Sequence, residues 1–325
     1  MKKGISIILI LLILISCLGA CGNGSSKEND KLKIVTTIFP EYDWTKTILG
    51  ERGDDVELIL LLGNGVDLHN YQPTAEDILN ISTCDLLVYV GGESDKWIED
   101  ALKEVVNKDQ VVINLLEVLG DKAKEEEVVE GMQEEEKEHE GHSEEGPEYD
   151  EHVWLSLRNA EIFIESITNT LCDMDADNAD TYKANAADYI GKLKSLDNDY
   201  TDAVQNARVK TLLFGDRFPF RYFVYDYGLS YYAAFAGCSA ETEASFETVL
   251  FLASKLDELG LNAVLKIEGK DQRIAETIIS NTRSKNQSVL TMDSMQGTTI
   301  EDVNNGVTYL SIMESNLEVL KEALR

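Results

Sequence analysis

The sequence predicts an α/β protein of two lobes, each built on a mostly parallel sheet flanked by helices and joined to the other by a long helix. Near-continuous apolar runs alternate with helical patterns in both halves of the chain, which is typical of parallel strands buried on both faces. The middle of the chain instead carries apolar residues at helical spacing. The length of 325 residues also suits two domains of ~150 residues each.

Four apolar runs predict the strands of the first lobe. They cover residues 32–38, 56–62, 85–90 and 111–114. Phe39-Pro40 follows the first run and Gly91-Gly92 follows the third. Proline and glycine both end strands, so these pairs place two of the strand ends.

Helices are predicted between the two lobes, where apolar residues recur every three or four positions. The positions are Ala160, Ile164, Ile167 and Leu171, then Tyr182, Ala186, Tyr189, Leu193 and Leu196. Asp177 or Asp180 is a plausible N-cap for the second helix. A helix of ~25 residues over 178–203 would be ~38 Å long, enough to run the length of two small domains.

The alternation resumes in the second half and predicts the second lobe. Its strands cover residues 211–214, 230–235, 263–267 and 288–292. A closing helix carries Leu310, Met313, Leu317, Leu320 and Leu324. Ligands of such folds bind where the carboxyl ends of the strands meet, here between the lobes.

The N-terminus predicts export. Lys2-Lys3 precedes an apolar run over 5–15, which is too short for a comfortable membrane span and is typical of a secretory signal. The run leads into Leu18-Gly19-Ala20-Cys21, which resembles the bacterial lipobox, a small-residue cleavage site directly before a cysteine. In such signals the cysteine becomes the lipidated first residue, so Cys21 predicts a protein anchored to the extracytoplasmic face of the cell membrane. A plain signal peptide with an incidental cysteine is the alternative.

These patterns divide the chain into five segments. The segments are a signal peptide over 1–20, a lipidated tether over 21–31, an N-terminal lobe over 32–155 that includes an acidic loop at 121–151, connecting helices over 156–208, and a C-terminal lobe over 209–325. Beyond the tether the cysteines are Cys84, Cys172 and Cys238. An odd number allows at most one disulfide, and with no CxxC spacing the three are predicted to be small, buried apolar residues.

The charge of the chain excludes one class of partner. There are 29 Lys and Arg against 60 Asp and Glu, a net charge of −31. So acidic a surface repels phosphate backbones, and no nucleic-acid partner is expected. It suits a protein that handles cations, or one that merely stays soluble. Residues 121–151 alone hold 15 Asp or Glu and 3 Lys, a net charge of −12.

Three side chains that can ligate a metal follow strand or turn signals, where a cleft would lie. His69 lies in a loop after the second strand, His152 follows the acidic loop, and Asp293 follows the last strand. Their spacing matches no local zinc motif, so spacing alone leaves open whether the histidines are structural.

The residues resemble a known family. Gly65 to Thr74 reads GVDLHNYQPT, His152 to Leu155 reads HVWL, and a late strand ends in Asp293. With the export signal, these motifs look like the metal-binding lipoproteins of zinc and manganese ABC importers, also called cluster A-I solute-binding proteins. The resemblance covers essentially the whole mature chain. It includes the stretches 34–40, 222–229, 243–245 and 267–268.

This resemblance implies two lobes linked by a rigid helix, with one divalent metal in the cleft. It implies His69 as the first ligand, His152 as the second and Asp293 as the fourth. At the position of the third ligand, five residues before Tyr222, this chain has Arg217, which cannot ligate a cation.

Several candidates for the third ligand stay open. Asp216 lies one residue before the Arg217 position, and Glu243 and Glu268 are alternatives, with Arg217 ion-paired to whichever carboxylate does not ligate. A water molecule completing the shell is a further possibility. Two imidazoles with carboxylates suit Zn²⁺ or Mn²⁺.

The acidic loop adds two histidines, His139 and His142. Zinc-type relatives carry a loop rich in histidine and acid at this place, so these residues predict an accessory metal site and favour zinc modestly. A solvated acidic loop without a metal role is the alternative.

The predicted function is therefore a monomeric, lipid-anchored binding protein that captures Zn²⁺ and delivers it to an ABC permease. The chain contains no GxxxxGK[ST], so its ATPase must be a separate partner. Manganese or iron is the alternative cargo. A surface adhesin or sensor and a secreted metallohydrolase are the alternative classes, and no enzyme is expected because no general base or nucleophile is evident.

Overall fold

The computed structural model describes residues 31–133, 148–239, 243–269 and 271–325. The chain divides into two units, Met1–Lys31 and Leu32–Arg325, and all helices and strands below belong to the second unit. Within the described part of the chain, no helix is both long enough and apolar enough to cross a bilayer.

The first lobe is built on a four-stranded parallel sheet in the order β2-β1-β3-β4. Its strands are β1 (Leu32–Thr36), β2 (Val56–Leu60), β3 (Leu86–Tyr89) and β4 (Val111–Asn114). Its helices are Phe39–Leu49, Ala75–Thr83, Lys96–Lys103 and Leu115–Leu119. The predicted parallel sheet is confirmed.

The first strand is two residues shorter than predicted, and the helix after it explains why. The Glu41 carboxylate accepts hydrogen bonds from the backbone N–H groups of Thr37 (2.8 Å) and Ile38 (3.2 Å). Ile38 is the N-cap of the helix Phe39–Leu49, so its backbone N–H serves the start of the helix and not the strand.

The second lobe repeats the architecture with a parallel sheet in the order β6-β5-β7-β8. Its strands are β5 (Thr211–Phe218), β6 (Ser230–Ala236), β7 (Ala263–Lys266) and β8 (Ser288–Thr291). Its helices are Arg221–Tyr227, Phe246–Leu259, Arg273–Ser280, Ile300–Asn304 and Tyr309–Ala323.

Strand β5 is longer than predicted and irregular at the end that faces the first lobe. Its pairing with β6 shifts register between Phe214 and Arg217. Gly215 lies at this shift, and a Cβ there would approach the Cα of Ala275 to 2.8 Å. The helix Arg273–Ser280 therefore packs directly on the backbone of β5, which only glycine allows.

Two long helices connect the lobes, Leu157–Met174 and Ala179–Gln205. The second has 27 residues, close to the predicted length, and all five predicted apolar positions from Tyr182 to Leu196 are buried. The predicted N-cap is wrong, because Asn178 occupies that position and makes no side-chain cap hydrogen bond.

The closing helix ties the second lobe to the first. At its start the Tyr309 hydroxyl donates to the Trp154 carbonyl (2.7 Å), and the Trp154 indole N–H donates to the Ser294 carbonyl (2.9 Å). Trp44, Trp154 and Tyr309 are all almost fully buried in one continuous core. The segment around His152 is thus anchored from both lobes.

Candidate metal centre

Two histidines meet at the cleft. The Nε2 atoms of His69 and His152 lie 3.1 Å apart, although the residues are 83 positions apart in the chain. Among the described residues, one group of three or more His, Cys, Asp and Glu side chains has ligand atoms that all lie within 4.8 Å of one another, and its third member is Cys238. The structure brings together the first two predicted ligands and adds a thiol.

His69 is held by a short 3₁₀ turn, Leu68–Asn70, after β2. The Asp67 carboxylate caps this turn by accepting the His69 backbone N–H (3.0 Å). On the ring, Nδ1 lies 2.7 Å from the Ser94 hydroxyl. Donation from Nδ1–H to this hydroxyl leaves the Nε2 lone pair facing His152, which is the tautomer a metal ligand needs.

His152 is completely buried and is oriented by one carboxylate. Asp150 Oδ1 accepts from the His152 backbone N–H (2.9 Å) and lies 3.1 Å from the ring Nδ1. A carboxylate behind an imidazole fixes the ring and makes its other nitrogen a better ligand. Both Nε2 atoms therefore point into the same small space.

The pKa values of the two imidazoles are shifted in opposite directions. Burial, together with the neighbouring His152 and Arg217, lowers the pKa of His69 to about 3. Burial also works against a charge on His152, but the carboxylates of Asp150, Glu151 and Asp67 together outweigh it, so the pKa of His152 lies above its usual value. Protons therefore compete with a cation for the Nε2 atoms, more strongly at His152 than at His69.

Cys238 was missed as a member of this group by sequence reasoning, which treated all three cysteines as core residues. All three are free, and Cys84 and Cys172 are buried as predicted, but Cys238 is only partly buried. It lies in the turn directly after β6. Asp293 directly follows its predicted strand, whereas Cys238 lies three residues beyond the predicted strand over 230–235, so the sequence carries no comparable signal for it.

Burial raises the pKa of the Cys238 thiol well above its usual range, and the carboxylates of Asp150, Glu126 and Glu151 add to this effect. Negative groups therefore surround the thiol. Such an environment disfavours a free thiolate and attracts a cation.

The residue at the family's third position forms an ion pair instead. Arg217 Nη2 lies 2.6 Å from Asp67 Oδ2, the same carboxylate that caps the His69 turn. The prediction that Arg217 pairs with Glu243 or Glu268 is wrong. Because Arg217 belongs to β5 and Asp67 to the loop after β2, this pair joins the two lobes beside the histidines.

The other predicted carboxylates lie outside the group formed by His69, His152 and Cys238. Asp216 accepts hydrogen bonds from the backbone N–H groups of Arg217 (2.8 Å) and Ile267 (3.2 Å), and burial raises its pKa. Glu268 accepts from the backbone N–H groups of Ser294 (2.7 Å), Gln296 (2.9 Å) and Gly297 (3.1 Å). Glu268 thus shapes the loop after β8, and Glu243 is likewise not in the group.

Asp293 faces a cavity of about 690 Å³ that Asp67, Arg217 and Glu268 also line. Its Oδ1 accepts from the Met295 N–H (2.7 Å). Burial, together with the charge of Glu268, raises the pKa of Asp293 to about 6. Asp293 therefore opens onto the same cleft as the Asp67–Arg217 pair, without joining the imidazoles.

The remaining predicted residues, Cys21, His139 and His142, lie outside the described part of the chain. The two ends of the acidic loop are described. Glu125 pairs with Tyr149 in an antiparallel bridge, and Asp150 donates its N–H to the Lys124 carbonyl (2.8 Å). Both ends of the loop are therefore fixed next to Asp150, the carboxylate that orients His152.

Comparison with known proteins agrees with this geometry. The family described as "Zinc-uptake complex component A periplasmic" matches residues 34–323. The chain is 32% identical over 323 residues to the high-affinity zinc uptake system protein ZnuA of Bacillus subtilis, and the match covers 97% of each. It is 33% identical over 305 residues to the zinc-binding lipoprotein AdcA of Streptococcus pneumoniae, covering 93% of this chain and 58% of that protein. The chain thus spans about three fifths of the streptococcal relatives it matches.

Solved structures show the same fold. The Zn(II)-bound ZnuA-like domain of Streptococcus pneumoniae AdcA superposes with a TM-score of 0.69 at 28% identity, covering 90% of this chain and 99% of that one. The metal-dependent lipoprotein YcdH of Bacillus subtilis superposes with a TM-score of 0.72 at 28% identity, with the same two coverages. With the family match over 34–323 and two imidazoles facing each other across 3.1 Å, the chain belongs to the ZnuA family of zinc-uptake solute-binding proteins.

Proposed function

We propose that this protein is the extracytoplasmic component of a zinc uptake system, which captures one Zn²⁺ between its lobes and delivers it to an ABC permease. The observation that carries this proposal is the pair of imidazoles. Each is fixed through Nδ1, by Ser94 for His69 and by Asp150 for His152, and each presents Nε2 to the same point. Family membership and the zinc-binding relatives support the same conclusion.

The spacing of the imidazoles suits a tetrahedral metal. Two nitrogens at ~2.0–2.1 Å from a tetrahedral Zn²⁺ lie about 3.3 Å apart. The Nε2 atoms of His69 and His152 are 3.1 Å apart. The distance between these two nitrogens is therefore within about 0.2 Å of the distance that a tetrahedral Zn²⁺ needs.

Nitrogen ligands also favour zinc as the cargo. Among divalent first-row metals Mn²⁺ binds a given site most weakly, whereas imidazole suits zinc well. Manganese is the alternative that competition experiments must test. Asp293, which faces the cleft, is our proposed fourth ligand because a carboxylate from the second lobe would let the ion bridge both lobes.

The membrane anchor and the partners complete the proposal. Lipidation at Cys21 would hold the protein on the outer face of the membrane, and the pneumococcal relative is named a lipoprotein. Transport requires a permease and an ATPase, because this sequence contains no P-loop. A receptor that must release its cargo needs ligands but no catalytic base.

A metal titration tests the proposal. Metal-free protein is titrated with Zn²⁺ and Mn²⁺ against a chelating indicator, and protein purified without chelator is analysed for its elements. We expect one tightly bound Zn²⁺ per chain and weaker Mn²⁺. The double variant His139→Ala/His142→Ala serves as the control for loss of histidine, and it should retain the tight site. A wild-type protein that binds no zinc, or that hydrolyses ester, peptide or phosphate substrates when loaded, contradicts the proposal.

A further inference from the structure

We propose that Cys238 supplies the third ligand of the cleft metal as a thiolate, replacing the family ligand whose position Arg217 occupies. This inference rests on the proposed function and specifies its site. The resulting set of ligands contains His69 and His152 from the first lobe and a sulfur from the second.

The ligand atoms are already close to a coordinating arrangement. The Sγ of Cys238 and one ring nitrogen of each histidine lie within 4.8 Å of one another. With Zn–S at ~2.3 Å and Zn–N at ~2.0–2.1 Å, a tetrahedral ion requires sulfur and nitrogen to be about 3.5 Å apart. A shift of about 1 Å is enough, and Cys238 is only partly buried.

The turn that carries Cys238 is packed directly against one of the histidines. A Cβ at Gly237 would lie 2.9 Å from the Phe218 carbonyl oxygen and 3.0 Å from His152 Cε1. Any side chain at this position would push the turn away from the imidazole. The backbone of Cys238 is held as well, because its N–H donates to Glu126 Oε1 (3.2 Å). The thiol is therefore positioned beside the histidines by contacts on both sides.

The contacts of Arg217, which occupies the position of the family's third ligand, support the same conclusion. Arg217 cannot ligate, and its guanidinium is engaged by Asp67 at 2.6 Å. The carboxylate next to it, Asp216, already accepts two backbone hydrogen bonds. Cys238 is the side chain of the second lobe whose ligand atom groups with both imidazoles among the described residues, so its sulfur takes the place of the lost ligand.

The step balances without any co-reactant. Zn²⁺ forms a bond to the Cys238 sulfur, and the thiol proton, together with any proton on His152 Nε2, passes to solvent. The buried carboxylates of Asp150 and Glu151 offset the positive charge that remains on the ion. A thiolate is a soft ligand that selects zinc over manganese, so Cys238 would also sharpen the metal preference of the site.

Cobalt absorption provides a direct test. Full-length lipoprotein in detergent is stripped of metal and titrated with Co²⁺, whose near-ultraviolet thiolate charge-transfer band reports sulfur ligation. We expect the band in the wild type and in the Cys172→Ser control, and its loss in Cys238→Ser. Cys238→Ser should also weaken Zn²⁺ binding by at least tenfold, whereas Cys238→His should restore affinity without restoring the band.

The outcomes separate the two proposals. A wild type that binds one equivalent of Co²⁺ and Zn²⁺ without the band, together with unchanged affinity in Cys238→Ser, overturns Cys238 as the ligand and leaves the uptake function intact. The assignment of Cys238 is also overturned if Asp216→Asn loses affinity and Cys238→Ser does not. A wild type that binds neither metal overturns the proposed function. If circular dichroism shows that Cys238→Ser is misfolded, the wild type is used instead, and alkylation of Cys238 by iodoacetamide is measured with and without Zn²⁺. Absence of protection by Zn²⁺ overturns the inference.

Discussion

The two edges that face the cleft are built differently. The edge of the first lobe holds His69 and His152, both deeply placed and both oriented through their second nitrogen by Ser94 and Asp150. The edge of the second lobe offers Cys238, which is partly buried, and Asp293, which opens onto a cavity. The side chains of the first edge are therefore oriented by hydrogen bonds to their rings, whereas those of the second edge are more open to the cleft.

This difference indicates separate roles for the two edges in metal binding. In the proposed site the two imidazoles locate the ion, because the 3.1 Å between their Nε2 atoms is close to the spacing around a tetrahedral metal. Cys238 and Asp293 would add ligands from the second lobe, and the Cys238 sulfur would favour zinc over manganese. In a receptor that must also release its cargo, ligands that can withdraw with one lobe allow release without dismantling the site.

Removal of His152 should have the largest effect on binding. His152→Ala deletes a ligand from the first edge and leaves Asp150 without its partner, so Zn²⁺ affinity should fall by more than the ~10–100-fold that loss of a supporting residue costs. Competition titration against a chelator measures this, with the double variant at His139 and His142 as the matched control. Unchanged affinity at one equivalent would show that the imidazole pair is not the site.

Removal of the supporting carboxylate should have an intermediate effect. Asp150→Ala leaves the His152 ring free to rotate and less basic, which should weaken Zn²⁺ binding by ~10–100-fold while the stoichiometry stays the same. The exposed Asp109→Ala is the control for loss of one negative charge. If both variants lose affinity equally, the loss comes from long-range electrostatics. Asp150 would then have no specific role in orienting His152.

The ion pair between the lobes should affect stability more than binding. Arg217→Ala leaves the partly buried Asp67 without its cation, which should lower the free energy of unfolding by about 1–3 kcal/mol. Denaturant unfolding of the metal-free protein measures the loss. Arg221→Ala is the matched control, since it breaks a different ion pair, with Glu127 at 2.7 Å. A loss no larger than in this control would mean that Arg217 does not brace the cleft.

The smallest effect to be measured is the number of protons released on binding. Below its raised pKa His152 is protonated, whereas His69, with a pKa of about 3, is neutral. At pH ~6, Zn²⁺ should therefore displace about one proton from the imidazole pair and about one from Cys238. Affinity should weaken as the pH falls, because protons compete with the metal.

Calorimetry in buffers of different ionisation enthalpy counts these protons. Cys238→Ala should release about one fewer than the wild type. If both proteins release the same number of protons, all of these protons come from the imidazole pair. The Cys238 thiol would then not ligate the metal.

Much of the fold could be predicted because it depends on local pattern. Buried parallel strands appear as apolar runs, and the 27-residue helix Ala179–Gln205 appears as apolar positions at helical spacing. Errors occurred where tertiary contacts override pattern. Strand β5 continues to Phe218 because the register shift near Gly215 allows a helix to pack on its backbone, which no periodicity reveals.

The site was predicted in part. His69 and His152 could be located because each follows a strand or turn signal and lies in a motif typical of the family. Cys238 could not be separated from Cys84 and Cys172 on composition, because all three are single cysteines outside any paired motif. Only the packing of Gly237 against His152 distinguishes a thiol at the cleft from a thiol in the core.

The sequence by itself determined the architecture, the family and the two histidines, since each follows from residue type and order along the chain. The tertiary structure alone decided which side chains share a space: His69 with His152 across 83 positions, Cys238 beside them, and Arg217 with Asp67. The physical reason is that metal ligation and ion pairing depend on distances of a few ångströms between atoms. Those distances are set by how two separate sheets and their connecting helices pack, and no local pattern encodes them.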